Sequence, residues 1–110
     1  MTRRSLVLMA LLALGLLAAC GSAPDDTQAI VEATRTYVQA NSDVANFDVQ
    51  VEQVDGDYAR TRVVPSDGST DPAWVFLKRE NGAWTGLTIG TAFLPEDYQQ
   101  LGIPKSLQLN

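Results

Sequence analysis

Ala73-Trp-Val-Phe-Leu-Lys-Arg-Glu-Asn-Gly-Ala-Trp-Thr-Gly-Leu-Thr-Ile89 decides the fold. Two apolar, aromatic-rich runs flank Asn81-Gly82. Asn-Gly in that position predicts a two-residue hairpin, because both central residues of a type I′ turn need positive φ. Ala73 to Glu80 is then one strand and Ala83 to Ile89 the returning one. In the two-residue register Phe76 faces Leu87, Trp74 faces Ile89 and Arg79 faces Trp84. Trp74, Phe76, Leu87 and Ile89 are assigned to the core face. Val75, Leu77, Arg79 and Trp84 are assigned to the opposite face.

A second hairpin precedes it. Phe47-Asp-Val-Gln-Val-Glu-Gln53 alternates apolar and polar, the pattern of a half-buried strand. Tyr58 to Val64 forms the next strand. A two-residue turn between them would set Val51 against Arg60 and Val49 against Arg62. A three-residue loop, Asp55-Gly56-Asp57 with Gly left-handed, sets Val51 against Thr61 and Val49 against Val63. It also brings Glu52 opposite Arg60 and Gln50 opposite Arg62. A slip of one residue turns every side chain over, so the second register is expected. Pro65-Ser-Asp-Gly-Ser-Thr-Asp-Pro72 is a polar loop.

A helix stands before the strands. From Thr27 to about Ala40, residues Ile30, Ala33, Tyr37 and Val38 mark one face at helical spacing, with Val31 and Thr34 beside them. Asp25 and Gln28 have capping-box spacing, and Asn41-Ser42-Asp43 closes the helix. After Gly90-Thr-Ala-Phe93, the stretch Leu94-Pro-Glu-Asp-Tyr-Gln-Gln-Leu-Gly102 has Pro at the first helical position, acids in the first turn and Gly past the end. The predicted class is α+β. One N-terminal amphipathic helix packs on a four-stranded antiparallel meander sheet, with a short C-terminal helical turn.

That order resembles the cystatin-like and NTF2-like α+β families. The stretch Trp74 to Trp84, with Gly90-Thr-Ala-Phe93 and Leu101-Gly-Ile-Pro104, is similar to small bacterial lipoproteins and secreted domains. These stretches describe packing and turns, and the resemblance carries no catalytic residue onto this chain. Cystatin-type inhibitors use a Gln-x-Val-x-Gly hairpin, whereas Gln50-Val-Glu-Gln-Val54 has no Gly at its end.

The N-terminal segment reads as an address. Arg3-Arg4 is followed by Leu6 to Leu17, twelve residues without charge or polar side chain, then Ala18, Ala19 and Cys20. Charge, an apolar core of ~7–15 residues and small residues at the exit are the layout of a secretory signal. A membrane-spanning helix needs ~20 apolar residues, more than this run supplies. Leu17-Ala18-Ala19-Cys20 resembles the lipobox of bacterial lipoproteins: an aliphatic residue, two small residues and Cys. All four positions match, and Cys20 is the only cysteine. The resemblance implies a diacylglyceryl thioether on Cys20, cleavage after Ala19 and acylation, commonly with palmitate, of the new amino terminus. Two or more acyl chains hold a protein stably where one does not.

The expected organisation follows: residues 1–19 a cleaved signal peptide, 20–26 the lipidated Cys and a short tether, and 27–110 one small domain. Gly21-Ser-Ala-Pro24 spans ~15 Å at most, at ~3.5 Å per residue. The expected location is the cell membrane or outer membrane, facing the extracytoplasmic, periplasmic side. The bilayer is the expected partner, through acylated Cys20. Gly21 lacks the Asp that, in lipoproteins of diderm bacteria, retains the anchor at the inner membrane.

Composition narrows the chemistry. The chain carries 13 acidic and 8 basic residues, a net charge of −5. With Arg3 and Arg4 set aside, six basic residues face the same 13 acids, a net of −7. Nucleic-acid binders are basic, so that class is excluded. There is no histidine, which removes His-based triads, His-ligated zinc and imidazole switches. Asp55-Gly56-Asp57 and Asp67-Gly-Ser-Thr-Asp71 offer carboxylates but not the spacing of a calcium loop, and turn formation accounts for both. Glu96-Asp97 suit a helix start, where the dipole favours negative charge. No catalytic residue, metal ligand or cofactor is assigned. The chain is not expected to be an enzyme.

One surface stands out. Tyr58, Arg60, Arg62, Val75, Leu77, Arg79 and Trp84 are expected to point away from the helix. Tyr58, Arg60, Arg62, Arg79 and Trp84 then form a candidate face for a partner protein or an anionic ligand. Ordinary cross-strand pairing, Glu52 with Arg60 and Arg79 on Trp84, also accounts for them. Three functions compete. The first is a non-catalytic protein-binding or envelope-associated module. The second is a small-ligand carrier with a pocket between helix and sheet near Tyr37, Trp74 and Phe76. The third is an NTF2-like enzyme, for which the chain lacks the residue types.

Overall fold

The computed structural model describes residues 26–68 and 70–109. Helix α1 (Thr27–Asn41) is followed by strands β1 (Phe47–Asp55), β2 (Tyr58–Pro65), β3 (Ala73–Glu80) and β4 (Ala83–Gly90). Helix α2 (Pro95–Leu101) and a 3-10 turn (Lys105–Leu107) close the domain. The strands form one antiparallel sheet in the order β1-β2-β3-β4, so the α+β meander expected from the sequence is the fold.

Helix α1 buries Ile30, Thr34 and Val38, spaced four apart on one face. Thr34 is a polar residue in that stripe, and its hydroxyl is fully used. It bonds the Ile30 carbonyl at 2.8 Å and the Thr61 hydroxyl of β2 at 3.2 Å. A buried polar pair that is satisfied costs little, and it ties helix to sheet at one register. Asp25, expected to cap the helix, lies outside the described residues. Asp26 occupies the N-cap position without capping, its carboxylate being held by Arg79 at 2.9 Å.

Both hairpins differ from expectation by one residue of slack. In the first, the turn is Gly56-Asp57, with Asp55 opposite Tyr58. The chain reaches the expected pairs Val51 with Thr61, Gln50 with Arg62 and Val49 with Val63 by a bulge at Glu52 rather than by a longer loop. Gln53, not Glu52, stands opposite Arg60 in the ladder, yet Glu52 still reaches Arg60 at 2.9 Å. In the second, Asn81 and Gly82 have φ of 55° and 81°, as a type I′ turn requires. Arg79 faces Trp84 as expected. A bulge at Leu87 then shifts the ladder, so Phe76 faces Thr88, Val75 faces Ile89 and Trp74 faces Gly90. The expected pairs of Phe76 with Leu87 and Trp74 with Ile89 do not form.

The assignment of faces on β3 and β4 is corrected by the packing. Val75, Leu77 and Trp84 lie beneath α1, in one cluster with Ile30, Val38, Phe47, Ala59 and Val63. Phe76 and Leu87 lie on the other side, in a second cluster with Tyr98, Ile103 and Leu107. Val75, Phe76 and Leu77 are each 0% exposed. A strand buried on both faces reads as a continuous apolar run, so alternation cannot say which face meets the helix.

The C-terminal segment is therefore a second layer. Pro95 starts α2, and the Asp97 carboxylate accepts the Leu94 N–H at 2.8 Å. Gly102 ends it with φ +70°, and its N–H reaches back to the α2 carbonyls. Ile103 to Leu107 then lie on the sheet over Phe76. Phe76 meets Phe93 and Tyr98 edge-on, with centroids 5.1 and 5.7 Å away. On the first face, the Tyr37 ring lies directly over Gly86, where a Cβ would come within 2.3 Å of it.

Candidate functional site

The five residues expected on one face fall on two. Arg79 and Trp84 lie on the α1 side. Trp84 is buried, with Arg79 5.3 Å above its ring centroid. Arg79 binds Asp26 at the start of α1 and Asp57 in the first turn, both at 2.9 Å, so it clips three elements together. Tyr58, Arg60 and Arg62 lie on the opposite face, beside the C-terminal segment. Arg60 donates to Glu52 at 2.9 Å and to the Leu107 carbonyl at 2.7 Å. Tyr58 is half-buried beneath Lys78, whose ammonium lies 5.6 Å from the ring centroid. Val75 and Leu77, also expected outside, are core residues. The five residues therefore do not form one continuous face. Cys20 lies outside them.

Lys78 has its pKa raised from the ordinary 10.5, first by the hydrogen bond to Glu80 and then by Tyr58. A raised lysine pKa means the interaction is fully present below the unfolded value and is lost as pH climbs through the folded one. The pair should thus be constant across neutral pH and fade only in the alkaline range. NMR titration of the Lys78 side chain should place its midpoint above the ordinary lysine value of 10.5. Glu80→Gln should bring it down, and an unmoved midpoint would show that Glu80 is not the cause.

Tyr37, Trp74 and Phe76, expected near one pocket between helix and sheet, do not share one among the described residues. Tyr37 borders a cleft of about 250 Å³ between α1 and the start of β4, with Ala33, Ala40 and Trp84. Trp74 borders a different cleft, of about 310 Å³, on the other side of the sheet. Phe76 is in the core beneath the C-terminal segment. The second cleft is framed by Trp74, Phe93, Tyr98, Leu109 and the Thr91-Ala92 turn.

The Trp74 wall of this cleft is held in place. Its indole N–H donates to Glu52 Oε1 at 3.0 Å, and the same oxygen accepts from Arg60. Arg62 lies on the Trp74 ring, its guanidinium carbon 5.9 Å from the centroid. Arg35, Arg60 and Arg79 each donate hydrogen bonds. Arg62 forms none among the described residues, and its buried Nε has no partner. The sequence reading singled out Arg62 but not this setting. Tyr98 comes from the stretch expected to be a short C-terminal helical turn, and Phe93 and Leu109 flank it in the chain.

The carboxylates are dispersed. Asp55 accepts from Ser106, and Asp57 is bound by Arg79. Among the described residues no three acidic groups stand together as a metal site would require. No helix among them is long and apolar enough to cross a membrane. No protein-family model matches the chain, and neither a curated protein nor a solved structure does.

Proposed function

We propose that this chain is a lipid-anchored extracytoplasmic protein whose small domain works by binding rather than by catalysis. The observation that carries the reading is the run from Arg3-Arg4 through the apolar block to Leu17-Ala18-Ala19-Cys20, with that cysteine the only thiol. An unpaired cysteine is uncommon in an exported protein, and acylation gives it a purpose. The absence of histidine supports a binding role. So does the use of Arg60 and Arg79 to fasten the domain together. The net charge disfavours adhesion of the domain itself to anionic headgroups, so the anchor rather than the surface holds it at the membrane.

Cys20→Ser tests this in a bacterial host. The unaltered chain should incorporate an alkyne-tagged palmitate, run at the processed size and sediment with membranes. The variant should lose the label entirely and accumulate unprocessed. A variant that still carries the tagged lipid overturns the reading.

A further inference from the structure

We propose that the cleft framed by Trp74, Phe93, Tyr98 and Leu109 binds a small organic anion. Its apolar, preferably aromatic, body would lie in the cleft and its carboxylate on Arg62. Four observations converge. The cleft holds about 310 Å³, the scale of small-ligand sites, and three of its walls are aromatic. Trp74 is fixed through Glu52 and Arg60, so the wall needs no ordering when a ligand arrives. Arg62 is not itself a wall of the cleft but lies against that same ring, its guanidinium carbon 5.9 Å from the centroid, so a ligand in the cleft would reach it past the edge of Trp74. It alone of the four described arginines has neither an ion pair nor a hydrogen bond among the described residues, and its Nε is buried without an acceptor.

The chemistry of the ligand follows from those groups. The Nε is sealed from solvent, so an incoming anion would meet the terminal N–H groups, which also have no acceptor among the described residues. Stacking occupies the face of a guanidinium and leaves its N–H groups for a planar, two-oxygen partner. No carboxylate among the described residues is ion-paired with Arg62, so an anion would have none to displace there. Glu52, an acid on this face, is already shared by Arg60 and Trp74. A neutral ligand would gain the aromatic walls but leave Arg62 as it is. Charge on the ligand is therefore expected to determine affinity. The proposal does not depend on lipid anchoring.

The test uses the full chain in lipid nanodiscs, with 1-naphthylacetate as the anionic probe and 1-naphthaleneethanol as its uncharged counterpart. Protein amide and indole NMR signals report the site. Naphthylacetate should move the Trp74 indole signal and the amides of Thr91, Ala92 and Leu109, saturably. The alcohol should bind at least tenfold more weakly. Arg62→Gln should remove that difference, leaving both probes equally weak. Ala92→Trp, a substitution on an exposed turn, should fill the cleft and abolish binding of both while Arg62 is untouched. Absence of saturable shifts with naphthylacetate overturns the proposal. So does equal affinity for both probes in the unaltered protein, or a preference for the acid that survives Arg62→Gln. If Arg62→Gln does not fold, the acid-over-alcohol ratio and the Ala92→Trp variant decide the matter.

Discussion

Phe76→Ala should destabilise the domain by about 3–5 kcal/mol, the usual cost of removing a fully buried aromatic ring. Its ring is 0% exposed and touches Phe93 and Tyr98 edge-on, so the loss includes both aromatic pairs. A small domain has only about 5–15 kcal/mol of stability in all, which leaves the variant marginal or unfolded. Urea titration followed by tryptophan fluorescence measures it. Phe76→Leu keeps most of the volume and should cost far less. If Phe76→Ala lost under about 1 kcal/mol, the ring would not be packed as described, since well-buried aromatics never come so cheaply.

Gly86→Ala is expected to be the next most damaging change, at about 1–3 kcal/mol, although it adds a single methyl group. That methyl would lie 2.3 Å from Tyr37 Cγ and 2.7 Å from Tyr37 Cβ. The near end of a side chain cannot swing aside as its tip can, so either α1 lifts from β4 or the tyrosine leaves its rotamer. Tyr37→Ala in the same chain removes the obstacle. The double variant should therefore be more stable than the sum of the two single losses predicts, by about 0.5–3 kcal/mol, the range for residues in contact. Strict additivity would show that Tyr37 does not lie over Gly86.

The elements were legible in the sequence because each is marked twice, by periodicity and by its stops. Asn81-Gly82 could only be a tight turn, and Pro95 with Gly102 bracket α2 within one residue. Phe47 to Val51 alternates cleanly, and β1 has one face in the core. The faces of β3 were not legible. Trp74-Val75-Phe76-Leu77 is apolar at every position, so the choice between its faces depended on knowing what covers the sheet. The bulges at Glu52 and Leu87 leave no mark in composition, because any residue can be the extra one.

The same gap hid the cleft. Arg62 was visible as a cation on a strand, but the Trp74 ring it lies against belongs to a cleft walled by Phe93, Tyr98 and Leu109. These are brought together only by the path of the C-terminal segment across the sheet. Long-range placement of this kind is not carried by local pattern, which reports what a residue's neighbours in the chain demand. Arg79 and Trp84 were correctly paired with each other and wrongly grouped with Arg60, for the same reason.

A sheet clad on both sides by opposite ends of the domain also sets an order of events. Leu107 follows Phe76 by 31 positions and is fully buried against its cluster. A polypeptide still being synthesised can lay α1 against the meander while Phe76 and Leu87 remain in water, their cover not yet made. Completion then waits on residues translated late. Under the export proposed above, such postponement would keep the chain pliable during passage through a membrane pore, and trimming near Leu107 would be a direct route to recognition by proteases.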